Sequence, residues 1–314
     1  GAAHDRGDIH IHDLDFYATG TLTCCQTDPL KLFANGGFNT GHGHLRTPNS
    51  IGSYAALAAI ILQANQNEQH GGQAIPNFDY AMAPGVDKTF KKTLRANLKK
   101  YNEFSGKKVD ITIPEDIKYD DEETLKSLKI PAIVIDEAKK DTENQTFQAM
   151  EGFIHNLNTM HSRAGAQVPF TSINFGTDTT ESGRLVSKML LEATERGLGR
   201  GETPIFPISV FKVKEGINYN PEDPNYDLFK RSMEVSSKRL FPNFTFIDAP
   251  FNIKYYKKGD YNTEIATMGC RTRVFSSIFP ESDGIATSRG NLSFTTINLV
   301  RLGIKHGIAL KERK

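Results

Sequence analysis

Histidine and cysteine side chains lie close together near the start of the chain and could carry chemistry there. His10 and His12 alternate in GDIHIHDLDFY, and the adjacent pair Cys24 and Cys25 follows in TLTCCQTDPL. Histidines at this spacing on a strand point to one side of a sheet, which suits zinc or iron with Asp13 or a distant histidine as a third ligand. The alternative is a packed strand with hydrogen-bonded histidines. Adjacent cysteines alternate across a strand, and the sequence contains no CxxC pair, so we predict no metal site.

A third cysteine and an asparagine further along the chain are also candidates. Cys270 lies in ATMGCRTRVF, flanked by Gly269 and Arg271, with Arg273 close by. Cations near a thiol favour the reactive thiolate, and a buried structural cysteine is the alternative that the sequence leaves open. Asn291 stands in SRGNLSFTTINLVRLG ahead of an alternating stretch, where asparagine ordinarily serves turn chemistry. Three cysteines in a chain of this length do not form a disulfide framework.

Helix and strand patterns alternate around these candidates. Helices are predicted over about 50–69 and 132–163, and the lysine-rich stretch 88–129 is predicted to be an exposed helical region. Buried strands and helices then alternate in the order VPFTSINFG, ESGRLVSKMLLEATERGLG, TPIFPISVFKV, YDLFKRSMEVSSKRL and PNFTFID. This alternation indicates βαβ units with parallel strands. We therefore predict one α/β domain over residues 1–314, without a linker.

Composition narrows the class of protein. The 314 residues carry a formal net charge of +1 and are 38% hydrophobic, which permits a large core. Balanced charge gives no case for a nucleic-acid-binding surface. No apolar run approaches the roughly 18 residues that a membrane helix needs, and no signal peptide leads the sequence. We predict a cytoplasmic protein that binds neither nucleic acid nor membrane.

Six stretches, in order along the chain, resemble the anaerobic (class III) ribonucleoside triphosphate reductases, which are oxygen-sensitive glycyl-radical enzymes. The stretches are HDRGDIHIHDLDFY, TLTCCQTDPL, GGFNTGHGHLRTPNSI, HGGQAIPNFDYAMAPGV, ATMGCRTRV and SRGNLSFTTINLVRLG. The resemblance implies an oxidoreductase that makes deoxyribonucleoside triphosphates for DNA synthesis. It also implies a ten-stranded α/β barrel of two five-stranded parallel halves, with a cysteine finger loop inside. Residues 1–314 would supply mainly the first half and the finger loop.

The same resemblance suggests roles for several residues. Cys270 matches the finger-loop cysteine that becomes a thiyl radical and abstracts the ribose 3′-hydrogen. Cys25 would reduce the radical intermediate from the first barrel strand, with Cys24 pointing away. Asn291 matches the position that hydrogen-bonds the ribose hydroxyl, and Met268 matches the finger-loop methionine of the subgroup that uses formate as its reductant. We therefore expect formate as the co-substrate.

His10 and His12 resemble the active-site strand histidines of the family, and we place them in the substrate pocket without assigning a proton transfer. Expected partners are a ribonucleoside triphosphate substrate, dNTP or ATP effectors, a radical-SAM activating enzyme and a second copy of the chain. The effector site would lie at the dimer interface near the helix over about 50–69. This helix begins near Ser50 and ends before Gly71.

Some family features have no match in residues 1–314. These are the amino-terminal ATP cone, the carboxyl-terminal zinc cysteines and the glycine loop that holds the radical. We therefore expect an incomplete catalytic barrel domain that belongs to a longer or split enzyme, or is a truncated piece, and that is inactive alone. One alternative is a non-catalytic nucleotide-binding or assembly module. Another is a pyruvate formate-lyase-like acyl transferase, which the Cys25 and Asn291 positions fit less well than they fit a ribose substrate.

Overall fold

A computed structural model describes residues 1–106, 109–269 and 272–312. The strands are β1 (Ile9–Ile11), β2 (Cys24–Gln26), β3 (Gly37–Asn39), β4 (His44–Arg46), β5 (Gly72–Ile75), β6 (Thr171–Phe175), β7 (Ile208–Val213), β8 (Asn243–Phe246), β9 (Gly290–Asn291) and β10 (Thr295–Ile297). The α-helices are α1 (Ala2–Asp5), α2 (Leu14–Tyr17), α3 (Pro29–Ala34), α4 (Ile51–Glu68), α5 (Phe78–Ser105), α6 (Glu122–Ser127), α7 (Ala132–Thr159), α8 (Glu181–Arg196), α9 (Tyr226–Arg239) and α10 (Leu299–Lys311). Short 3₁₀ turns occur at Ile253–Tyr255 and Tyr261–Thr263.

A six-stranded sheet with the order β8–β7–β6–β5–β2–β9 forms the centre of the molecule. The pairs β2–β5, β5–β6, β6–β7 and β7–β8 are all parallel, and β9 pairs antiparallel with β2. The predicted mixed α/β fold with parallel strands is therefore confirmed, and five parallel strands are in place. Within the described ranges no sheet closes on itself, so the ten-stranded barrel stays a prediction.

The helices agree with most of the sequence pattern. Helix α4 occupies the predicted 50–69 stretch, and its start is fixed by a reciprocal capping box between Ser50 and Ser53. Helix α7 begins as expected but ends at Thr159, four residues before the predicted end. No helix in the part of the chain that the structure describes is long and apolar enough to cross a membrane.

The lysine-rich stretch departs from its predicted helical form. Helix α5 ends at Ser105, where Gly106 adopts a positive φ of 65° and stops the helix. The chain beyond it packs on the core, because Ile113 and Ile117 are buried. Periodicity missed this because the lysines of α5 and the apolar residues after Gly106 belong to different elements. The helical prediction therefore holds for the first part of the stretch and again for α6, but not for the segment between them.

The main hydrophobic core lies between one face of the sheet and helices α4, α5, α7 and α8. Sheet residues that point into it include Ile75, Ile173, Phe175 and Phe211, all fully buried. Burial of apolar surface on this scale is the dominant stabilising contribution to such a fold. We call this face of the sheet the outer face. Because side chains alternate along each strand, the residues between these positions point to the opposite, inner face.

Candidate active site on the inner face of the sheet

Strands β2, β5 and β6 carry small and polar side chains on the inner face, beside Ile208 and Val210 of β7. Register partners in adjacent strands share a face, and the pairs Cys24–Gly72, Gln26–Ala74, Ala74–Ser172 and Cys24–Asn291 place these residues side by side. A polar face on a parallel sheet that helices do not cover is a place where a ligand or a functional segment can bind.

A segment of chain lies across this inner face. We call residues 264–269 the finger segment, since they lead to the predicted finger-loop cysteine. The Asn174 side chain donates from Nδ2 to the carbonyl of Thr267 at 2.8 Å and accepts from the Thr267 amide at 2.9 Å. Ser172 Oγ accepts from the Gly269 amide at 3.2 Å, and Gln26 Nε2 donates to the Ala266 carbonyl at 3.4 Å. Side chains of the inner face therefore hold the backbone of the finger segment.

The backbone of Gly269 approaches the sheet too closely to carry a side chain. Gly269 has a φ of +50°, and a Cβ atom built on it would lie 2.5 Å from the Sγ atom of Cys24. A Cβ atom on Gly72 would lie 3.1 Å from the Cα atom of Gly269. Two glycines therefore permit this contact, which brings the finger segment against the β2 thiol.

The structure reverses the expected orientation of the two adjacent cysteines. Cys24 is buried on the inner face, in a small cluster with Ala74 and Met268. Cys25 points to the outer face, where its Sγ donates to Gln73 Oε1 at 3.0 Å and accepts from Asn65 Nδ2 of α4 at 3.0 Å. The expectation that Cys25 faces the finger loop while Cys24 points away is therefore wrong. Alternation along β2 is as predicted, but counting from the HIHD motif could not set its phase, because a turn and a short helix intervene.

The thiol of Cys25 lies in a low-reactivity environment. Burial raises the pKa of Cys25 to about 11, an effect only partly offset by its hydrogen bond from Asn65. The thiol form therefore predominates at neutral pH. A buried protonated thiol that contacts two amide side chains is typical of a structural position.

Asn291 and Met268 both lie next to Cys24. Asn291 is the direct partner of Cys24 across the β2–β9 pair and is partly buried. Met268 is fully buried, and its backbone pairs with Thr272 through hydrogen bonds of 2.8 and 3.1 Å. Cys270, between these two paired residues in sequence, lies outside the described residues. The inner face thus brings together Cys24, Asn291 and Met268.

His10 and His12 lie apart from this cluster in the described structure. His10 lies in the antiparallel two-stranded sheet of β1 and β10, and His12 follows β1 directly, so neither lies in the central sheet. Their rings contact each other with centroids 4.6 Å apart, which confirms that both point to one side. The His12 ring stacks on Phe294 at 4.0 Å, and its Nε2 lies 2.7 Å from Thr296 Oγ1. Their place in the substrate pocket stays a prediction. No metal-binding group of three or more ligands occurs among residues 1–106, 109–269 and 272–312.

A buried ionic cluster holds the base of the finger segment. Glu264 accepts from Lys212 Nζ at 2.5 Å, from Thr177 Oγ1 at 2.7 Å and from the Tyr80 hydroxyl at 3.2 Å. Lys212 is fully buried and Glu264 nearly so. Burial and the neighbouring Glu264 charge raise the pKa of Tyr80, so the phenol remains a donor. Because each charge is compensated, the cluster can persist in the interior.

Sequence reasoning missed the side chains that hold the finger segment. Ser172 and Asn174 alternate as polar residues within the otherwise apolar strand TSINF, and Lys212 lies within the buried strand ISVFKV. Charged or amide side chains inside buried strands require partners, so these positions carried a usable signal. The partner of each could not be read from the sequence, since the contacts join residues more than 50 positions apart.

Solved structures with a similar fold place these features in a structural class. The anaerobic ribonucleotide reductase from Thermotoga maritima in complex with dATP and CTP matches with a TM-score of 0.59 at 15% identity, over 97% of this chain and 44% of that one. The same enzyme with dATP in the specificity site matches with a TM-score of 0.57 at 14% identity, over 97% and 44%. The described chain therefore has an α/β fold similar to that of the anaerobic ribonucleotide reductases.

Sequence comparison identifies the family itself. The family described as anaerobic ribonucleoside-triphosphate reductase matches residues 1–312, and the chain belongs to it. A protein of this name from Enterobacteria phage T4 is 33% identical over 99% of this chain and 46% of its own length. Another from Haemophilus influenzae is 30% identical, over 96% of this chain and 38% of its own length. The chain thus spans less than half the length of these relatives.

Proposed function

We propose that this chain supplies the substrate half of an enzyme that reduces ribonucleoside triphosphates to 2′-deoxyribonucleoside triphosphates by thiyl-radical chemistry. The observation that carries the proposal is the meeting of the Cys24 thiol, the Asn291 amide and the finger segment on one polar face. Membership of the family supports the reaction. Because the relatives are more than twice as long, the activity is assigned to the complete catalytic polypeptide.

Three residues share the chemical work in this proposal. Cys270, as the thiyl, takes a hydrogen atom from ribose C3′, which leaves the radical on the sugar and forms an S–H bond. The 2′-hydroxyl then leaves with a proton as water. Cys24 on β2 is proposed to give a hydrogen atom to C2′. The two electrons of formate then reduce the sulfur radical left on Cys24 and the oxidised sugar, and Cys270 returns its hydrogen atom to C3′ and becomes the thiyl again. The Asn291 amide is proposed to hydrogen-bond a ribose hydroxyl. A glycyl radical on the complete polypeptide supplies the initial hydrogen-atom acceptor.

Formate is proposed as the source of the two electrons. Its oxidation to carbon dioxide releases two electrons and one proton, which together with one further proton from solvent convert the C2′–O bond to C2′–H and water. Support comes from the inner-face thiol count, since Cys24 is the only cysteine on the described inner face. Because formate can leave as carbon dioxide, a second resolving cysteine is unnecessary. Turnover that continues without formate but requires a dithiol protein would contradict this assignment.

Nucleotide regulation and dimerisation are proposed to use the helical side of the molecule. A groove of about 500 Å³ lies between α4 and α7 and is lined by small side chains, among them Gly52, Ala56, Ala149 and Gly152. Small residues permit close approach of another helix. We propose that a second copy docks near α4 and that dNTP or ATP effectors bind there. The Thermotoga maritima structures with dATP and CTP make nucleotide ligands reasonable for this chain as well.

The experiment that tests the function uses the complete enzyme, activated and assayed without oxygen. Cys270→Ser should abolish conversion of ribonucleoside triphosphates while leaving nucleotide affinity unchanged, because a serine hydroxyl does not form the required radical. Deoxynucleotide formation and equilibrium nucleotide binding are measured on the same preparation. Turnover that survives Cys270→Ser would overturn the mechanism. Nucleotide binding without turnover in the unmodified, activated enzyme would instead favour a non-catalytic binding module.

A further inference from the structure

We propose that Asn174 is a positioning residue that sets the register of the finger segment, and so the register in which the chain enters position 270. This inference rests on the proposed function for its kinetic consequence, but its structural part stands on the contacts alone. Asn174 pairs with Thr267, and Ser172 pairs with Gly269. Two alternate residues of β6 therefore hold two alternate residues of the finger segment, running in the opposite direction.

The matched spacing makes the pairing specific. Residues two apart on a strand lie about 6.5–7 Å apart and point to the same face. Ser172 and Asn174 consequently present two polar groups at the repeat of an extended chain. A slip of the finger segment by one residue would leave Thr267 without its amide partner. It would also move the Met268 side chain out of its cluster with Cys24 and Ala74.

Asn174 is better suited than Ser172 or Gln26 to set the register of the finger segment. Its amide both donates to and accepts from the backbone of Thr267, as a strand partner would, and it is fully buried. Ser172 makes a single contact, and Gln26 makes a long one of 3.4 Å. A buried two-point hydrogen bond is costly to break, because both backbone groups would be left unsatisfied.

The other end of the finger segment is also fixed. Glu264 is held by Lys212 and Thr177, so the segment is attached at residue 264, residue 267 and residue 269. The ionic cluster holds the base of the finger segment at Glu264. The hydrogen bonds of the Asn174 amide then fix the position of the residues that follow. The finger segment is therefore positioned by β6. Strand β6 belongs to the same sheet as Cys24, so the sheet fixes the finger segment relative to Cys24.

Register matters for the proposed chemistry because hydrogen-atom transfer needs reacting atoms within about 3–3.5 Å, and a misplacement of about 1 Å can cost about 100-fold in rate. We therefore expect Asn174→Ala to lower kcat by about 10- to 100-fold. KM should change by less than about two-fold, because Asn174 contacts the finger segment and not the substrate. A large fall in kcat with little change in KM distinguishes a positioning effect from a loss of substrate binding.

The test compares three variants of the complete enzyme. Asn174→Ala removes the two-point contact, and Ser172→Ala removes only the acceptor for the Gly269 amide. Asn225→Ala is the matched control, since Asn225 is an equally buried amide that donates to the carbonyls of Gly176 and Asp178. Amide hydrogen exchange of residues 264–269 is measured on each protein, together with kcat and KM.

Asn174→Ala should accelerate exchange of the Thr267 amide by at least about ten-fold, whereas Ser172→Ala should do so only at Gly269 and the control at neither. Unchanged exchange at Thr267 overturns the inference, whether or not the enzyme turns over. Faster exchange with kcat equal to that of the control overturns the kinetic consequence. Should Asn174→Ala not fold, Ser172→Ala decides: exchange at Gly269 must rise for the register to stand. Protected amides in an activated wild-type enzyme without turnover would support the register and refute the proposed function.

Discussion

Cys24 and Asn291 are direct partners in the antiparallel pairing of β2 with β9, and their side chains lie on the same face of the sheet. The pair links β9, the antiparallel edge strand of the sheet, to β2, its neighbour in the parallel part. In the proposed mechanism a ribose over this face would meet the Cys24 thiol and the Asn291 amide together. Cys25, one residue further along, points to α4 instead.

Serine substitution at the two adjacent cysteines tests this arrangement. Cys24→Ser should reduce turnover of the activated enzyme to background, because an O–H bond is too strong to replace the thiol as a hydrogen-atom donor. Cys25→Ser should retain most of the activity, since that side chain faces α4 and hydrogen-bonds to Gln73 and Asn65. Deoxynucleotide formation under anaerobic conditions is the measurement. The reverse pattern would return the role to Cys25.

Alanine at Gly269 tests the close contact between the finger segment and β2. Gly20 provides the control, because it has a φ of +73° but nothing within 4 Å of an added Cβ atom. Gly20→Ala should cost about 1–2 kcal/mol of unfolding free energy from backbone strain alone. Gly269→Ala should cost about 1–3 kcal/mol more, because its Cβ would meet the Cys24 Sγ. Equal losses in urea unfolding would show that the contact is looser than described.

The buried ion pair at the base of the finger segment gives a further prediction. Lys212→Met leaves the Glu264 carboxylate buried beside only neutral donors and should cost about 3–5 kcal/mol in unfolding free energy. The double variant with Glu264→Gln should recover part of that loss, because the buried Glu264 charge is then removed as well. Urea midpoints of the single and double variants measure the difference. A double variant less stable than Lys212→Met would mean that Glu264 is stabilised mainly by Tyr80 and Thr177.

How far the sequence predicts this molecule depends on the range of the interaction. Helix α4 and strand β6 were predictable, because a capping serine and the alternation of Ile173 and Phe175 with polar residues are local signals. The side of the sheet to which Cys24 points was not, because strand phase depends on tertiary contacts with Gly72 and Gly269. Asn174 was visible as a polar residue in a buried strand, but its partner Thr267 lies 93 residues away. Local patterns thus identified candidate residues, and only the fold showed which of them contact one another.

Asp178 should make stability depend on pH near neutrality. Burial, followed by the nearby Asp79 charge, raises the pKa of Asp178 from its usual 3.8 to about 7. Burial also raises the pKa of Asp79, although the Lys212 charge and the backbone amides of Asp178 and Gly176 oppose that rise. Asp178 takes up a proton as the pH falls below about 7.

The sign of the effect follows from proton binding in the two states. Between about pH 4 and 7 the folded protein keeps a proton on Asp178 that the unfolded chain releases, so the free energy of unfolding should fall as pH rises through this window, by on the order of 1.4 kcal/mol per unit. Asp178→Asn keeps an acceptor for the amide and hydroxyl of Thr180 and removes the titration, so its stability should vary less. Asp136→Asn, at an exposed position of α7, is the control. Urea unfolding at pH 5 and pH 7.5 compares the three proteins, and an equal pH dependence in all of them would assign the titration to another group.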